Sequence, residues 1–503
     1  MTDRPEPVPD LDWSPERARA FGEGALDVWE EMLVRLRELP VARRATEADV
    51  HRAVAIDVPE GPMPQDELLA YLREVVMERS MYPGHPRFSA YISGAGTVPG
   101  AVADLLAAGV NQNVGGWRLS PAATEIELHL TRWFAELFGL PGTAGGLIVS
   151  GGAMANFVGL KVARDRVAGW DVRGRGVAAG PRLAMYLSAE AHVVSDRAAD
   201  MLGLGTEMVR HLEVDGNYRM RVDRLREAIR RDREAGHRPF AVVASAGTVA
   251  TGSVDPLGEI ADVCAQEDVW LHVDAAYGGP AVLAEDLRPL LSGIERADSI
   301  SFDPHKWLYT PHSGGCVLLR DLRHLGESFV VHPSYTVADK DRTGWGLDLM
   351  EHGPQFSRGF WALKVWVSLL AHGRRAYAAR ISHDAELARY LGARVQECPE
   401  FELAAPVVLS IACFRYVPPD LPEGAGREAY LNTLNERLLT EVWLDGRVFC
   451  SNAVLGGRYV LRACIVNFRT EADDVDALLD VAAELGSKLD RELRPAELKE
   501  GAA

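Results

Sequence analysis

Positive charge is scarce in this 503-residue sequence. Lysine and arginine together number 54, against 72 aspartate and glutamate residues, which gives a formal net charge of −18. Proteins that bind nucleic acid or anionic membrane surfaces carry an excess of basic residues, so this balance argues against both kinds of partner. We therefore expect a small-molecule substrate.

Paired cysteines and long apolar segments are also missing. The six cysteines are scattered, with no Cys-x-x-Cys pair and no histidine spacing typical of zinc, which indicates thiols in a reducing compartment and no metal site. The first ten residues have no apolar core of a signal peptide, and no uninterrupted apolar run reaches about 18 residues. These absences predict a cytoplasmic protein without a membrane segment.

What the chain does contain is ample apolar material, since 47% of its residues are hydrophobic. Its length predicts two or three structural units. Helical patterns begin after Ser14 and again near Asp66, with little around them to cover their apolar faces. We predict that residues 1–90 form a helical dimerisation segment, 91–385 a large α/β domain, and 386–503 a smaller α+β domain.

The middle of the chain alternates apolar strands with amphipathic helices. This alternation predicts a mostly parallel sheet covered on both faces. A polar stretch from His332 to Gly353 interrupts the pattern, and its length predicts a lid over a functional site. The predicted strands are Leu147–Ser150, Leu183–Ser188, Met208–Val214, Phe240–Ser245, Val269–Ala275, Ser299–Phe302 and Gly315–Leu319.

Lys306 follows one of these strands and stands beside His305, among Phe302, Trp307 and Leu308. Apolar packing would lower the pKa of a lysine and free its amine to form a Schiff base with an aldehyde cofactor. The alternative is a surface lysine whose stem covers apolar neighbours. The residues around Lys306 alone do not decide between a Schiff-base lysine and a surface lysine.

Three further groups stand at the ends of predicted strands. Asp274 ends one apolar run, where ligands of open α/β sheets bind, and could pair with a protonated pyridine nitrogen or simply cap the next turn. Gly151 and Gly152 lead into a helix whose N-terminus suits a phosphate, although a plain tight turn has the same residues. His192 could stack on a planar ring or serve a structural role.

Several motifs occur in a fixed order along the chain: Ser-Gly-Gly-Ala-Met-Ala-Asn156, Ala-His192, Gly-Thr248, His-Val-Asp-Ala-Ala-Tyr-Gly278 and Asp-Pro-His-Lys-Trp307. In this order the sequence resembles the pyridoxal-phosphate-dependent group II decarboxylases. The resemblance extends over nearly the whole chain. It implies an α/β fold of type I, like that of the pyridoxal-phosphate-dependent transferases, and a homodimer with shared active sites.

The resemblance also implies a role for each matching residue. Lys306 would hold pyridoxal 5'-phosphate as a Schiff base, Asp274 would pair with the pyridinium, and His192 would stack on the ring. Ala276 would pack on the other face of the ring. The residues that would help to hold the phosphate are Gly152, Ala153, Thr248 and His305.

Two further positions follow from the resemblance. Asp303 stands where many relatives have asparagine, and we expect its carboxylate to turn away from the phosphate or to contribute only its backbone. Tyr335, in the lid candidate, would protonate the substrate carbon after carbon dioxide leaves, since the developing carbanion is strongly basic. Relatives with phenylalanine in place of this tyrosine tend to consume oxygen and release aldehydes.

The substrate is expected to be an amino acid, most simply an aromatic one of the tyrosine, dihydroxyphenylalanine, phenylalanine or tryptophan type. In the family, the substrate pocket combines residues of both subunits. A serine at the position of Ser357 favours substrates with a phenolic ring. The matching positions here are Tyr91, Ile92, Ser93, Asn113, Val114, Gly115 and Ser357.

Three alternatives stay open. Arg118 lies near the pocket segment and could meet an acidic side chain, which would suit a glutamate or aspartate decarboxylase. An oxygen-using aldehyde synthase is a second alternative, although the presence of Tyr335 and His192 argues against this activity. A non-catalytic protein of the same fold is the third, and the complete set of cofactor residues speaks against that.

Overall fold

The computed structural model describes residues 11–331 and 344–499, which form a large α/β unit, a smaller α+β unit and helices at the N-terminal end. The large unit is built on a seven-stranded sheet in the order β1-β7-β6-β5-β4-β2-β3. Its strands are β1 (Gly145–Val149), β2 (Leu183–Ser188), β3 (Val209–Leu212), β4 (Arg238–Ser245), β5 (Trp270–Asp274), β6 (Ser299–Phe302) and β7 (Gly315–Leu319).

Six of these strands point in the same direction. Strands β3, β2, β4, β5 and β6 pair in parallel, and β7 is antiparallel to both β6 and β1. Because β1 and β6 are both antiparallel to β7, they run in the same direction. The carboxyl end of β1 therefore lies at the same edge of the sheet as the carboxyl ends of the parallel strands. The predicted mostly parallel α/β sheet is confirmed, and this edge is where the candidate functional groups are expected to meet.

Both faces of the sheet are buried, as the continuous apolar runs predict. Along β4, Val242 and Ala244 belong to one hydrophobic cluster, and Ala241 and Val243 belong to another. Successive side chains of a strand point to opposite faces, so each cluster fills one side of the sheet. Helices cover the two clusters, which is the reason that the strands lack alternating polar residues.

Helices make up most of the remaining described structure. Among the described residues, no helix is both long enough and apolar enough to cross a membrane. The α-helices are α1 (Pro15–Arg35), α2 (Glu47–Val54), α3 (Gln65–Leu72), α4 (Val98–Val110), α5 (Pro121–Leu137), α6 (Gly152–Val167), α7 (Val172–Arg175), α8 (Val194–Met201), α9 (Val222–Glu234), α10 (Leu257–Glu267), α11 (Arg323–Phe329), α12 (Ala362–Glu397), α13 (Arg427–Asp445) and α14 (Ala472–Leu493).

The N-terminal helices leave part of their apolar surface uncovered in the single chain, with Leu26 50% and Val34 76% exposed. Helix α1 starts as predicted, with the Ser14 hydroxyl accepting a hydrogen bond from the backbone N–H of Arg17 and with Pro15 in the first turn. Helices α1, α2 and α3 nevertheless contain no buried residue. A π-helical turn, Arg73–Met77, continues α3 and extends the helical segment predicted to begin near Asp66.

The smaller unit is an antiparallel sheet in the order β10-β11-β9-β8 with α13 and α14 beside it. Its strands are β8 (Phe401–Leu403), β9 (Ile411–Tyr416), β10 (Ser451–Leu455) and β11 (Arg458–Cys464). The sequence predicts strands near Val407–Tyr416 and Tyr459–Phe468 and a helix near Asp473–Leu489, which correspond to β9, β11 and α14. It does not predict β8, β10 or α13. Buried and exposed residues alternate along β10, which is typical of a sheet that has one solvent-exposed face.

Helix α12 connects the two units without an intervening loop. It is kinked at Gly373, whose φ of 74° is not helical. After the kink, Ile381 and Ala385 pack into the core of the large unit, and Leu387 and Leu391 pack into the core of the small unit. The helix therefore passes from one core to the other near residue 386. The division into domains at 90 and 385 remains a prediction.

Candidate active site

A cavity opens where the parallel strands end. It lies beyond the carboxyl ends of β1, β2, β4, β5 and β6, as expected for a ligand site in an open α/β sheet. Its lining contains Ile92, Gly152, Ala153, Asn156, His192, Val194, Ser245, Gly247, Thr248, Val249, Asp274, Ala276, Tyr277, Asp303 and Lys306. Eight residues predicted to hold the cofactor or substrate are therefore together: Ile92, Gly152, Ala153, His192, Thr248, Asp274, Ala276 and Lys306.

Lys306 reaches the cavity from the turn after β6. Its side chain is 19% exposed, and its Nζ lies 3.0 Å from Oδ2 of Asp303. Phe302, Trp307 and Leu308 are buried as expected, but the Trp307 indole N–H donates to Asp384 in the core. The surroundings of the lysine amine are thus not purely apolar as the sequence predicted, because a carboxylate is its nearest partner.

The N-terminus of α6 forms a cradle at one side of the cavity. The backbone N–H groups of the first turn of a helix have no acceptor within the helix, and here they belong to Gly152 and Ala153. A Cβ atom at Gly152 would lie 2.6 Å from Oδ2 of Asp303, so glycine permits this close approach. Buried Thr248 lies nearby in the turn after β4, where its hydroxyl accepts from the backbone N–H of Ser253. The arrangement suits a phosphate group.

Asp274 is held at the end of β5 by donors on both carboxylate oxygens. Its Oδ1 accepts from the backbone N–H of Ala276 at 3.0 Å, and its Oδ2 accepts from Nδ2 of Asn156 at 3.3 Å. These two hydrogen bonds fix the orientation of the carboxylate at the edge of the sheet. The acid is therefore suited to pair with a protonated ring nitrogen.

His192 presents an uncharged imidazole to the same cavity. It lies in the turn between β2 and α8, and its Nδ1 accepts from the backbone N–H of Val194 at 3.0 Å. Burial lowers the pKa of His192, and the charge of Lys306 acts in the same direction, while Asp274 opposes both. A neutral, flat ring fixed by its backbone suits stacking against a planar ligand.

The carboxylate of Asp303 does not turn away from the cavity, so that expectation is wrong. The side chain is buried, lines the cavity and contacts both the Lys306 amine and the Gly152 backbone region. Its Oδ1 has no hydrogen-bond partner. The ion pair with the lysine and the short turn between them explain the inward orientation. The backbone of Asp303 is used elsewhere, because its N–H donates to the carbonyl of Ala276.

The other predicted residues that the structure describes do not line this cavity. The Nδ1–H of His305 donates to the carbonyl of Gly314 at 2.6 Å, and its ring lies 4.5 Å from that of His312. Tyr335 lies outside the described residues. The substrate-pocket positions away from the cavity are Tyr91, Ser93, Asn113, Val114, Gly115 and Ser357. Of these, Tyr91, Asn113 and Ser357 are exposed in the single chain.

The predicted pocket segment around Gly115 is fixed to the segment that carries Ser357. The backbone N–H of Val114 donates to the carbonyl of Arg358 at 2.9 Å, and Oδ1 of Asn113 accepts from the backbone N–H of Arg358 at 3.0 Å. Arg358 also forms a buried ion pair with Glu127 at 2.5 Å. The two segments therefore form one wall, whose position the sequence alone did not predict.

Asn156 is the principal cavity residue whose contact sequence reasoning missed. It is fully buried in α6, one turn after Gly152, and binds the Asp274 carboxylate. The motif Ser-Gly-Gly-Ala-Met-Ala-Asn156 contained the signal, since a polar residue one helical turn after a glycine cradle lies on the same face.

An aldehyde cofactor with a phosphate group and a basic ring nitrogen would engage all these groups at once. Lys306 offers the amine, Asp274 the carboxylate, and Gly152 and Ala153 the phosphate cradle, so the residues fit pyridoxal phosphate. Fold and site thus define a pyridoxal-phosphate enzyme of fold type I.

The sequence matches the family model of the pyridoxal-dependent decarboxylase conserved domain over residues 48–417. The chain belongs to this family and is a pyridoxal-phosphate-dependent amino-acid decarboxylase. The resemblance found in the sequence, the fold type, the cofactor and the enzyme class are thereby confirmed.

Several characterised relatives align along almost the whole chain. An aromatic-L-amino-acid decarboxylase of Bacillus atrophaeus is 35% identical, with 92% of this chain and 94% of the relative covered. A phenylacetaldehyde synthase of Arabidopsis thaliana is 30% identical, with 94% and 96% covered. Among solved structures, Oryza sativa TDC with pyridoxal phosphate and tryptamine has a TM-score of 0.89 at 28% identity, with 96% of this chain and 100% of that chain covered.

Proposed function

We propose that the enzyme removes the α-carboxylate of an aromatic L-amino acid and releases the amine and carbon dioxide. The substrate class is supported first by the similarity to the aromatic-L-amino-acid decarboxylase of Bacillus atrophaeus, and then by the charge of the described lining. Among the described residues that line it, Lys306 is the only lysine or arginine, and Asp303 already pairs with it. Ile92, Val194 and Val249 add apolar surface. An acidic side chain would find no free cation in this lining, whereas an aromatic ring would bury apolar area.

The cofactor is assigned to residues of this chain by their positions in the cavity. Lys306 would hold the aldehyde, and Asp274 would keep the ring nitrogen protonated, while His192 and Ala276 would contact the ring. Gly152, Ala153 and Thr248 would hold the phosphate. His305, which does not line this cavity, is assigned to the phosphate by the family resemblance alone. When bound, the cofactor supplies an electron sink for the pair released as the carboxylate bond breaks.

Tyr335 is assigned as the acid that protonates the substrate carbon after carbon dioxide has left. The assignment is supported by its place in the His-Pro-Ser-Tyr335 motif. A phenol is a strong enough acid for this task because the carbon it protonates is strongly basic.

Two copies of the chain would complete the site as a homodimer. Apolar side chains of α4 are exposed in the single chain, among them Leu105 at 67% and Val110 at 63%. Helices α1, α2 and α3 contain no fully buried residue. Because large exposed apolar patches mark interfaces, a second copy is the natural cover. The wall formed by the segments around Gly115 and Ser357 of the second copy would then supply the substrate-pocket residues that this cavity lacks.

A cytoplasmic location is proposed from the thiols. All six cysteines are free, and Cys264, Cys316, Cys413, Cys450 and Cys464 are buried. Free thiols are typical of reducing compartments.

Two other activities have specific support. A decarboxylating aldehyde synthase is favoured by the similarity to the Arabidopsis phenylacetaldehyde synthase. An acidic amino-acid decarboxylase would need a cation such as Arg118. That side chain is exposed, and its guanidinium carbon lies 5.0 Å from the ring centre of Trp345.

One paired assay separates the three activities. Cofactor-loaded enzyme is given tyrosine, dihydroxyphenylalanine, tryptophan, phenylalanine, glutamate or aspartate, and carbon dioxide, amine and hydrogen peroxide are measured together. We expect an aromatic substrate to be best, with amine equal to carbon dioxide and no peroxide. Aldehyde with peroxide would identify the synthase, and preference for glutamate or aspartate would overturn the substrate class. Lys306→Ala is the blank.

A further inference from the structure

A chain of hydrogen bonds leads from the core of the large unit to the cavity. The Trp270 indole N–H donates to Oγ of Ser299 at 2.7 Å, and Ser299 Oγ lies 2.7 Å from Nδ1 of His272. On the other side of the imidazole, Nε2 of His272 lies 2.8 Å from Oδ1 of Asn156. Asn156 in turn donates from Nδ2 to Asp274. The first four side chains are buried, so water does not compete for these bonds.

Only one arrangement of hydrogens satisfies the whole chain. An indole N–H can only donate, so the Ser299 hydroxyl is free to donate to Nδ1 of His272. The Asn156 amide nitrogen faces two acceptors, the Asp274 carboxylate and the carbonyl of Gly152, so its oxygen faces His272 and must accept. The imidazole therefore carries its hydrogen on Nε2. Burial lowers the pKa of His272 to about 4, so the ring stays neutral at working pH. Every donor then points toward Asp274.

The fold places these side chains in line by strand register and helix spacing. His272 and Asp274 are two apart on β5 and therefore share a face of the sheet. Ser299 on β6 pairs in register with His272. Helix α6 crosses this face, and a Cβ at Gly159 would lie 2.8 Å from Cε1 of His272, so the glycine leaves room for the imidazole.

We propose that Asn156 and His272 are positioning residues that fix the Asp274 carboxylate in the orientation needed to keep the cofactor ring nitrogen protonated. The inference rests on the proposed pairing of Asp274 with that nitrogen. The Asn156 amide holds Oδ2, and His272 holds the amide, because without the Nε2–H donor the amide could flip and present its oxygen to the carboxylate. Oδ1 is held separately by the backbone N–H of Ala276.

The test measures the protonation of the ring nitrogen directly. Holoenzyme is prepared with cofactor labelled with nitrogen-15 in the ring, and the nitrogen chemical shift is followed with pH, together with the dissociation constant of the cofactor from apoenzyme. For Asn156→Leu and His272→Phe we expect the ring nitrogen to lose its proton at a lower pH than in the parent enzyme. We expect the cofactor to bind at least about tenfold more weakly, since a hydrogen bond to a charged group is lost.

Matched variants separate positioning from general damage. Asn435→Leu removes a buried amide of α13 that bonds both backbone groups of Tyr416, and it should lower stability without moving the nitrogen shift. His272→Gln retains an N–H donor and should restore part of the parent shift. If Asn156→Leu does not fold, Ser299→Ala removes a single hydroxyl from the same chain and should move the shift in the same direction by a smaller amount.

Each outcome decides one of the two ideas. If Asp274→Asn removes the ring proton while Asn156→Leu, His272→Phe and Ser299→Ala leave it unchanged, the positioning role is wrong and the pairing of Asp274 stands. If Asp274→Asn itself leaves the nitrogen shift and cofactor affinity unchanged, the proposed pairing is wrong, and the positioning inference falls with it. Equal effects of Asn435→Leu and Asn156→Leu on the nitrogen shift would also overturn the inference.

Discussion

The carboxylate of Asp303 lies 3.0 Å from the Lys306 amine, and both side chains line the cavity. The same carboxylate approaches Gly152 at the N-terminus of α6. One negative group therefore contacts the residue that would hold the aldehyde and the cradle that would hold the phosphate. Its charge opposes a phosphate dianion.

Asp303→Asn should tighten cofactor binding. Removing a negative charge beside a dianion in a partly buried site reduces repulsion, and we expect the dissociation constant to fall by about five- to tenfold. The measurement is a titration of apoenzyme with pyridoxal phosphate, followed by absorbance. Asp303→Glu keeps the charge and is the matched control, for which no gain is expected. Weaker binding in Asp303→Asn would show that the carboxylate assists the cofactor.

Gly115→Ala should destabilise the protein, although it adds only a methyl group. A Cβ at Gly115 would overlap with the carbonyl oxygen of Phe356, which is backbone and cannot rotate away. We expect a loss of about 1–3 kcal/mol in the free energy of unfolding, measured by urea denaturation. Gly109→Ala in α4 is the control, because a Cβ there meets nothing within 4 Å and should stabilise the helix by up to about 1 kcal/mol. Equal stability of the two variants would contradict the tight wall.

Acid should destabilise the protein through its buried histidines. Burial lowers the pKa of His85 and of His272 from 6.5 to about 4. Below pH 6.5 the unfolded chain binds a proton at each site and the folded chain does not, so stability is full above 6.5 and falls as the pH decreases toward 4. Between pH 7 and 5 the buried His272 should cost about 2 kcal/mol.

Thermal unfolding at saturating cofactor, measured from pH 7 to pH 5, checks this dependence. His85→Gln removes one titrating group without touching the cavity lining, so its midpoint should fall less than that of the parent over the same interval. A parallel decrease in the two proteins would exclude His85 as a source of the acid sensitivity.

Tyr335→Phe should change the products more than the rate of carboxylate loss. Without the phenol, proton delivery to the substrate carbon slows, and oxygen can accept electrons from it. We expect amine formation to fall by at least about tenfold, as is typical when a general acid is lost. Aldehyde, ammonia and hydrogen peroxide should appear, one of each for every oxygen consumed. Anaerobic incubation is the control, since it should abolish the aldehyde. Unchanged amine yield would remove Tyr335 from the proposed mechanism.

The sequence predicted most of the large unit because its strands are short, continuous apolar runs. The bounds of Leu183–Ser188, Ser299–Phe302 and Gly315–Leu319 agree with the structure residue for residue. The positions of Lys306 and Asp274 followed from the rule that ligands gather where parallel strands end. The missed elements include helix α4, and in the small unit β8, which has three residues, and α13, which lacks a clear amphipathic pattern.

Side-chain orientation was the part that the sequence could not predict. Asp303 was expected to avoid the phosphate region, but the tertiary ion pair with Lys306 turns it inward. The contact between Asn156 and His272 joins a helix to a strand more than a hundred residues away. Sequence spacing predicts neighbours within an element, whereas contacts of this kind depend on how the elements pack.

Helix α12 makes the two units inseparable in practice. Its second half begins beside Tyr377 in one core and ends at Val395 in the other, with no loop between them. A cut at residue 385 would divide this helix, leaving Ile381 and Ala385 on one fragment and Leu387 and Leu391 on the other. A chimera that exchanges one of the two units between relatives would therefore have to keep this helix whole. A rotation of the small unit would be transmitted along the helix toward the kink at Gly373.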